Sequence, residues 1–208
     1  MALTDRYAIL LDGEYVKKTL GKRHKHFPDF GQVMAEVARI KSTPELAPLQ
    51  LYRVFYHTAE PLTGTTTHPL DKSSTDFGST PAFRQNTQLI DRLENQPDMA
   101  VRRGTLVHQG WQLTERAVKQ LVNGAKTQID PTDVVPRIQQ KGVDMRIGLD
   151  IASLALKQLV STIVLVTGDS DLVPAMRFAR REGLRVYLDT LGNHGVRPEL
   201  KLHADIVL

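Results

Sequence analysis

The sequence predicts an α/β fold built on a parallel sheet with helices packed against it, and three observations carry that prediction. Thr162-Ile163-Val164-Leu165-Val166 is an unbroken β-branched and apolar run, the pattern of a strand buried on both faces. Helical spacing over 171–181 and a second apolar run at Leu184–Leu188 follow it. Strand, helix and strand within about 30 residues form a βαβ unit, which builds parallel sheets. Near the start of the chain, Tyr7–Leu11 is a further apolar run that stops at Asp12-Gly13, as a buried strand does at a turn.

The remaining elements follow in order. Val33, Met34, Val37 and Ile40 recur at helical spacing, so a helix is expected over 30–40. Leu51–Tyr56 is rich in β-formers and reads as a strand. Residues 58–80 carry Thr63-Gly64-Thr65-Thr66-Thr67-His68-Pro69 and Ser73-Ser74-Thr75. Such polar, breaker-rich stretches predict a long, flexible surface loop. A helix is expected over 83–93, a strand over 99–107 and a helix over 114–122. Pro131 and Pro136 mark 123–137 as an excursion from the core. Ile147, Ile151, Leu154, Ala155 and Leu159 predict a helix over 147–160, and 203–208 ends the chain as a short strand.

The 208 residues fit a single domain, 1–208, with a core of its own. Hydrophobic residues make up 41% of the chain, which argues against disorder. The absence of cysteine excludes disulfides, thiolate metal sites and cysteine nucleophiles. A net charge of +4 suits a polyanionic partner, because Lys and Arg neutralise phosphates. Met1–Asp5 starts no signal peptide, and no apolar run approaches the roughly 20 residues that span a bilayer. A cytoplasmic protein without membrane contact is expected; the oligomeric state is left open.

In open α/β sheets ligands bind at the carboxyl ends of the strands. Asp12 ends the first strand, and Asp169 and Asp171 follow the strand 162–166 inside Thr167-Gly168-Asp169-Ser170-Asp171. Asp171 stands where a helix begins and so also reads as an N-cap. That role does not account for Asp169, expected beside Asp12. Carboxylates gathered at one edge repel one another unless a cation lies between them. Oxygen donors suit a hard ion, Mg²⁺ or Mn²⁺. Asp144 and Asp150, in Lys141–Asp150, add two acids that read equally as helix caps or surface partners of Arg146. No histidine spacing, Ser/His/Asp set or Walker-type loop is evident. Lys22-Arg23-His24-Lys25-His26 reads as a basic turn, and Trp111 as a core residue.

Three blocks, taken together, resemble the NYN domain, in particular its LabA-like branch. They are Lys141-Gly142-Val143-Asp144 through Asp150, Val164–Pro174 with its Gly168-Asp169-Ser170-Asp171, and Glu182-Gly183-Leu184-Arg185-Val186. Ile9-Leu10-Leu11-Asp12-Gly13-Glu14 is similar to the opening strand of that family, and Arg53–Tyr56 to its second. The resemblance spans nearly the whole chain and is weakest at 58–80 and 110–137. It implies a PIN-like, Rossmann-like parallel sheet with an acidic pocket at the strand ends. It implies a metal-dependent ribonuclease; an endoribonuclease with single-stranded RNA as its partner is expected, while endo versus exo action and RNA versus DNA stay open. Asp12, Asp150, Asp169 and Asp171 match the acidic pocket, and Asp144 a further metal-binding acid. Lys141, Arg146 and Glu14 become candidates for substrate contact, with Lys17 and Lys18 beside them. The family usually carries Asn in a Gly-x-Asn pattern after the first acid; here Gly13-Glu14 is followed by Tyr15.

Two rival readings stay open. One is a non-catalytic RNA-binding or regulatory protein on the same scaffold, which the Tyr15 departure favours. The other is a small-molecule phosphohydrolase. It fits poorly, because the haloacid-dehalogenase pattern needs Asp at position 14 and Thr at position 16, where this chain has Glu14 and Val16.

Overall fold

The computed structural model describes residues 5–208. The reading of the chain's opening as free of a leader rests largely on residues 1–4, which lie outside the described residues. The expected architecture is observed. A seven-stranded sheet runs in the order β6-β5-β2-β1-β7-β8-β9. Its strands are β1 (Arg6–Asp12), β2 (Gln50–Ala59), β5 (Met99–Leu113), β6 (Val134–Lys141), β7 (Thr162–Val166), β8 (Arg185–Asp189) and β9 (Ile206–Val207). All neighbours pair in parallel except β5 and β6. Among the described residues no helix is long and apolar enough to cross a membrane.

Strand β1 lies at the centre, between β2 and β7. Successive side chains of a strand point to opposite faces, so its apolar run feeds two cores. Ala8 and Leu10 join Ile163 and Leu165 of β7 against α5 (Val143–Leu156) and α6 (Val173–Arg181). Tyr7, Ile9 and Leu11 join Val164 and Val166 against α1 (Gly13–His24), α2 (Phe30–Lys41) and α3 (Pro81–Glu94). The two short helices are α4 (Glu115–Val122) and α7 (Pro198–Leu202).

Four of the departures from the sequence expectations matter most. Helix α1 was not anticipated: only Gly13, Val16 and Leu20 are buried along it, and its polar residues masked the period. The stretch read as an excursion contains β6. Pro136 is tolerated there because β6 is an edge strand, and Pro136 pairs with Trp111 where the register slips after His108. Residues 58–80 hold more than a loop. Thr58 and Ala59 complete β2, and β3 (Thr65–Thr67) pairs antiparallel with β4 (Ser74–Asp76).

The last departure bears on the site. Helix α5 starts at Val143, four residues earlier than expected, and stops at Leu156. Its N-cap is Gly142, whose φ of 73° is a conformation that glycine adopts without strain. Asp144 therefore lies in the first turn. Asp150 is six residues further on, mid-helix rather than near its start. At about 100° per residue the two point to different sides.

Candidate active site

The carboxyl ends of β1 and β7 meet at one pocket of about 470 Å³. Asp12, Asp144, Asp169 and Asp171 all line it, together with Glu14, Tyr15, Lys18, Gly168 and Arg197. Asp12 ends β1 and caps α1. Its Oδ1 accepts from the N–H groups of Glu14 and Tyr15 at 3.1 and 3.2 Å. Its Oδ2 accepts from the Thr167 hydroxyl at 3.0 Å. Asp12 is 7% exposed. Burial pushes its carboxyl above the ordinary value, against the pull of those three bonds, and the Asp144 charge adds to the rise.

Thr167 ties the two strand ends together. While donating to Asp12, its hydroxyl accepts the Asp169 N–H at 3.1 Å. Asp169 then accepts the Asp171 N–H at 2.9 Å. The capping role that sequence reasoning gave to Asp171 thus belongs to Asp169, and Asp171 sits in the first turn of a short 3₁₀ segment, Ser170–Leu172, ahead of α6. Asp144 reaches the pocket from α5. Its carboxyl is raised by burial first and then by the charges of Asp169 and Asp171.

Two other acids lie near this end of the sheet, and both are neutralised. Asp189, at the end of β8 and 1% exposed, pairs with Arg39 at 2.6 Å. Asp150 is not among the residues lining the pocket. It accepts from Nε2 of the fully buried His57 at 2.9 Å and from Nε of Arg102 at 3.0 Å. Those bonds hold its carboxyl below the ordinary value even though burial alone would raise it. The four pocket acids, in contrast, have no cation within salt-bridge distance among the described residues.

The cations nearest the pocket are Lys18 and Arg197. Lys18 is 3.6 Å from Glu14 and 70% exposed, and Lys17 is 3.3 Å from the other Glu14 oxygen. Glu14 thus gathers two lysines at the rim. Arg197 donates to the Ser170 hydroxyl at 3.0 Å. Of the cations singled out from sequence, Lys141 and Arg146 do not line the pocket, and Arg146 folds back onto the Gly142 carbonyl at 2.7 Å. Thr167 and Arg197 were not singled out. Thr167 is legible in retrospect as a hydroxyl residue two positions before a strand-end acid. Arg197 arrives from a distant loop and leaves no local signal.

Tyr15, where Asn was expected, has a structural role of its own. Its hydroxyl donates to the Thr190 carbonyl at 2.7 Å, joining α1 to the loop after β8. Its ring lies so close over Gly168 that a Cβ there would collide with it. The backbone N–H of Tyr15 still serves Asp12.

A metal fits this donor set in one form only. Among the described residues no three His, Asp or Glu side chains converge tightly enough to enclose an ion. The four acids ring an open pocket and offer oxygen alone. That suits Mg²⁺ or Mn²⁺, because Mg²⁺ takes one or two carboxylates and keeps most of its water.

Three comparisons with known proteins bear on the site. The family model of the NYN domain matches residues 6–207. An uncharacterized protein of Sinorhizobium fredii, y4oD, is 41% identical over 71 residues, 32% of each chain, so this chain spans about a third of that relative's length. The crystal structure of a protein of unknown function from Vibrio parahaemolyticus superposes over 100% of this chain and 94% of its own. Its TM-score is 0.52 and its identity 15%, a likeness of fold alone.

Proposed function

We propose that this chain, which belongs to the NYN domain family of PIN-like nucleases, is a divalent-metal-dependent ribonuclease acting on single-stranded RNA. One observation carries the reading. Among the described residues four aspartates share a pocket and lack salt-bridge partners, while two acids near the same end of the sheet, Asp150 and Asp189, are both neutralised. Asp12 and Asp169 also cap helical segments, but capping does not require four acids to be gathered at one opening, where they repel; their grouping answers to a ligand that supplies positive charge.

Asp12, Asp144, Asp169 and Asp171 are the acids from which one or two carboxylates would hold a largely hydrated Mg²⁺ or Mn²⁺. Such an ion, when bound, acidifies water and offsets negative charge on a phosphodiester. The chain's own residues prepare the rest. Thr167 and the two N–H groups at the start of α1 fix the Asp12 carboxylate in one orientation, so that little rearrangement is needed when a ligand arrives. Lys18 and Arg197 stand at the rim, where each can donate hydrogen bonds to a phosphate oxygen and offset its charge. Glu14 keeps Lys18 near the opening while its side chain stays exposed. Tyr15 and Gly168 form a packed wall on which the Asp169 turn rests.

The test is cleavage of end-labelled single-stranded RNA in Mn²⁺ or Mg²⁺, beside an EDTA control and Asp169→Asn. Metal-dependent cleavage that disappears in the variant supports the reading. Tight RNA binding without cleavage in both forms overturns it in favour of a non-catalytic RNA-binding protein, the reading that Tyr15 favours. Turnover of an aryl phosphate ester without RNA cleavage overturns it in favour of a phosphohydrolase.

A further inference from the structure

The acidic pocket does not end at its rim. A second depression of about 360 Å³ shares Glu14, Lys18 and Gln140 with it. A third, of about 100 Å³, shares Pro61, Asn86, Leu106 and Ile138 with the second. The three form one groove, and its chemistry changes along its length from acidic, to basic and polar, to apolar. At its far end Phe83 of α3 and Leu62 face Leu106 and Ile138 of the β5–β6 ribbon. Leu106 pairs with Gln140, and His108 with Ile138. Period-two alternation therefore puts Leu106, Ile138 and Gln140 on the same face of the ribbon.

We infer that this groove carries one strand of nucleic acid out of the acidic pocket and seats an unpaired base in the apolar depression beside Phe83. The inference rests on the nuclease reading and names a subsite for its substrate. Three features support that occupant. Ile138 is 45% exposed, an apolar β-branched side chain held open to solvent on the groove wall. Lys17 lies between the two ends with its side chain 15% exposed, held by Glu14 at 3.3 Å and by Asn86 Oδ1 at 2.9 Å. Asn86 is itself fixed, donating to the Ala82 carbonyl at 2.8 Å. A positioned lysine between an acidic centre and an apolar cup matches a chain in which charged phosphates alternate with flat apolar bases. Only an unstacked, unpaired base can enter the cup, so the groove favours single strands over duplex.

The experiment measures binding without cleavage. Fluorescence anisotropy in EDTA at low salt follows a labelled oligouridylate and versions carrying one abasic nucleotide at successive positions. Removing one particular base is expected to weaken binding by roughly 5- to 150-fold. Phe83→Ala should weaken the intact oligonucleotide to a similar degree and make that abasic position silent. Phe83→Trp, which keeps an aromatic face, should restore the dependence, and thermal melting of each variant verifies that the fold is retained. A flat abasic scan, or equal weakening of intact and abasic strands by Phe83→Ala, overturns the inference. Cleavage of RNA in Mn²⁺ is scored separately. A flat scan with cleavage retained refutes the subsite alone. A position-dependent scan without cleavage upholds the subsite and refutes the nuclease. Wild-type protein that neither binds nor cleaves refutes both.

Discussion

Thr167 donates its hydroxyl to Asp12 Oδ2 at 3.0 Å between the ends of two adjacent parallel strands, and Thr167 Oγ1 in turn accepts the Asp169 N–H at 3.1 Å. One buried hydroxyl thus sets the relative position of two acids 157 residues apart in sequence. Thr167→Val keeps the shape and removes both bonds. The expected cost is about 1–3 kcal/mol, from polar groups left without partners in a buried site. Thr167 also holds the Asp12 carboxyl down against burial. Without it that carboxyl rises further, and the acid limb of the pH–activity profile should move to higher pH. Urea melts and a pH profile of RNA cleavage check the two effects.

Asp169→Asn separates charge from structure. An Asn Oδ1 can still accept the Asp171 N–H, so the cap survives while one repelling charge is lost. Stability in EDTA should be unchanged or rise by a few tenths of a kcal/mol, as is usual for partly exposed charges. Cleavage should vanish, and RNA should bind at least as tightly because the phosphate meets less repulsion. Thermal melting and a gel shift report these independently.

Asp150 should behave differently. Asp150→Asn weakens its link to the buried His57, whose Nδ1 already has no hydrogen-bond partner among the described residues, and leaves Arg102 without its counter-charge. The loss should be about 2 kcal/mol and appear as a lower urea midpoint. Well below the melting temperature, folded Asp150→Asn should still cleave. The pH dependence has a definite sign. A carboxyl held low in the fold contributes stability that is full above its unfolded value and disappears as pH falls through the depressed folded value. Acid denaturation of Asp150→Asn should therefore be less steep than that of the wild type.

Gly168→Ala should destabilise strongly, by about 1–3 kcal/mol, because the new methyl group meets the Tyr15 ring. Combining it with Tyr15→Asn removes the obstacle. The two changes should be markedly less damaging together than their separate effects add to, and a double-mutant cycle on melting midpoints measures that coupling.

The sequence showed the sheet more clearly than the site. Strands buried on both faces, such as 162–166, carry an apolar run that no loop imitates. Elements with only a few buried positions, such as α1 with Gly13, Val16 and Leu20 buried, leave too faint a period. Pro136 concealed β6 because proline signals a break unless the strand is known to lie on an edge. At the site, residue type picked out five acids, Asp12, Asp144, Asp150, Asp169 and Asp171. Whether each is bare or neutralised depends on partners from other strands: Asp150 meets Arg102 from 48 residues away. No local pattern encodes that pairing.

Strand β5 pairs with β2 as far as Gly104 and with β6 from Thr105 onward. Its first half belongs to the scaffold that sets the acids, and its second half to a ribbon projecting beyond that scaffold. Chain length can be gained or lost at the tip of such a ribbon without shifting the strand ends at the centre of the sheet. Evolution could therefore retune what this protein grips while its acidic centre stays constant, much as a tool changes its jaw and keeps its hinge.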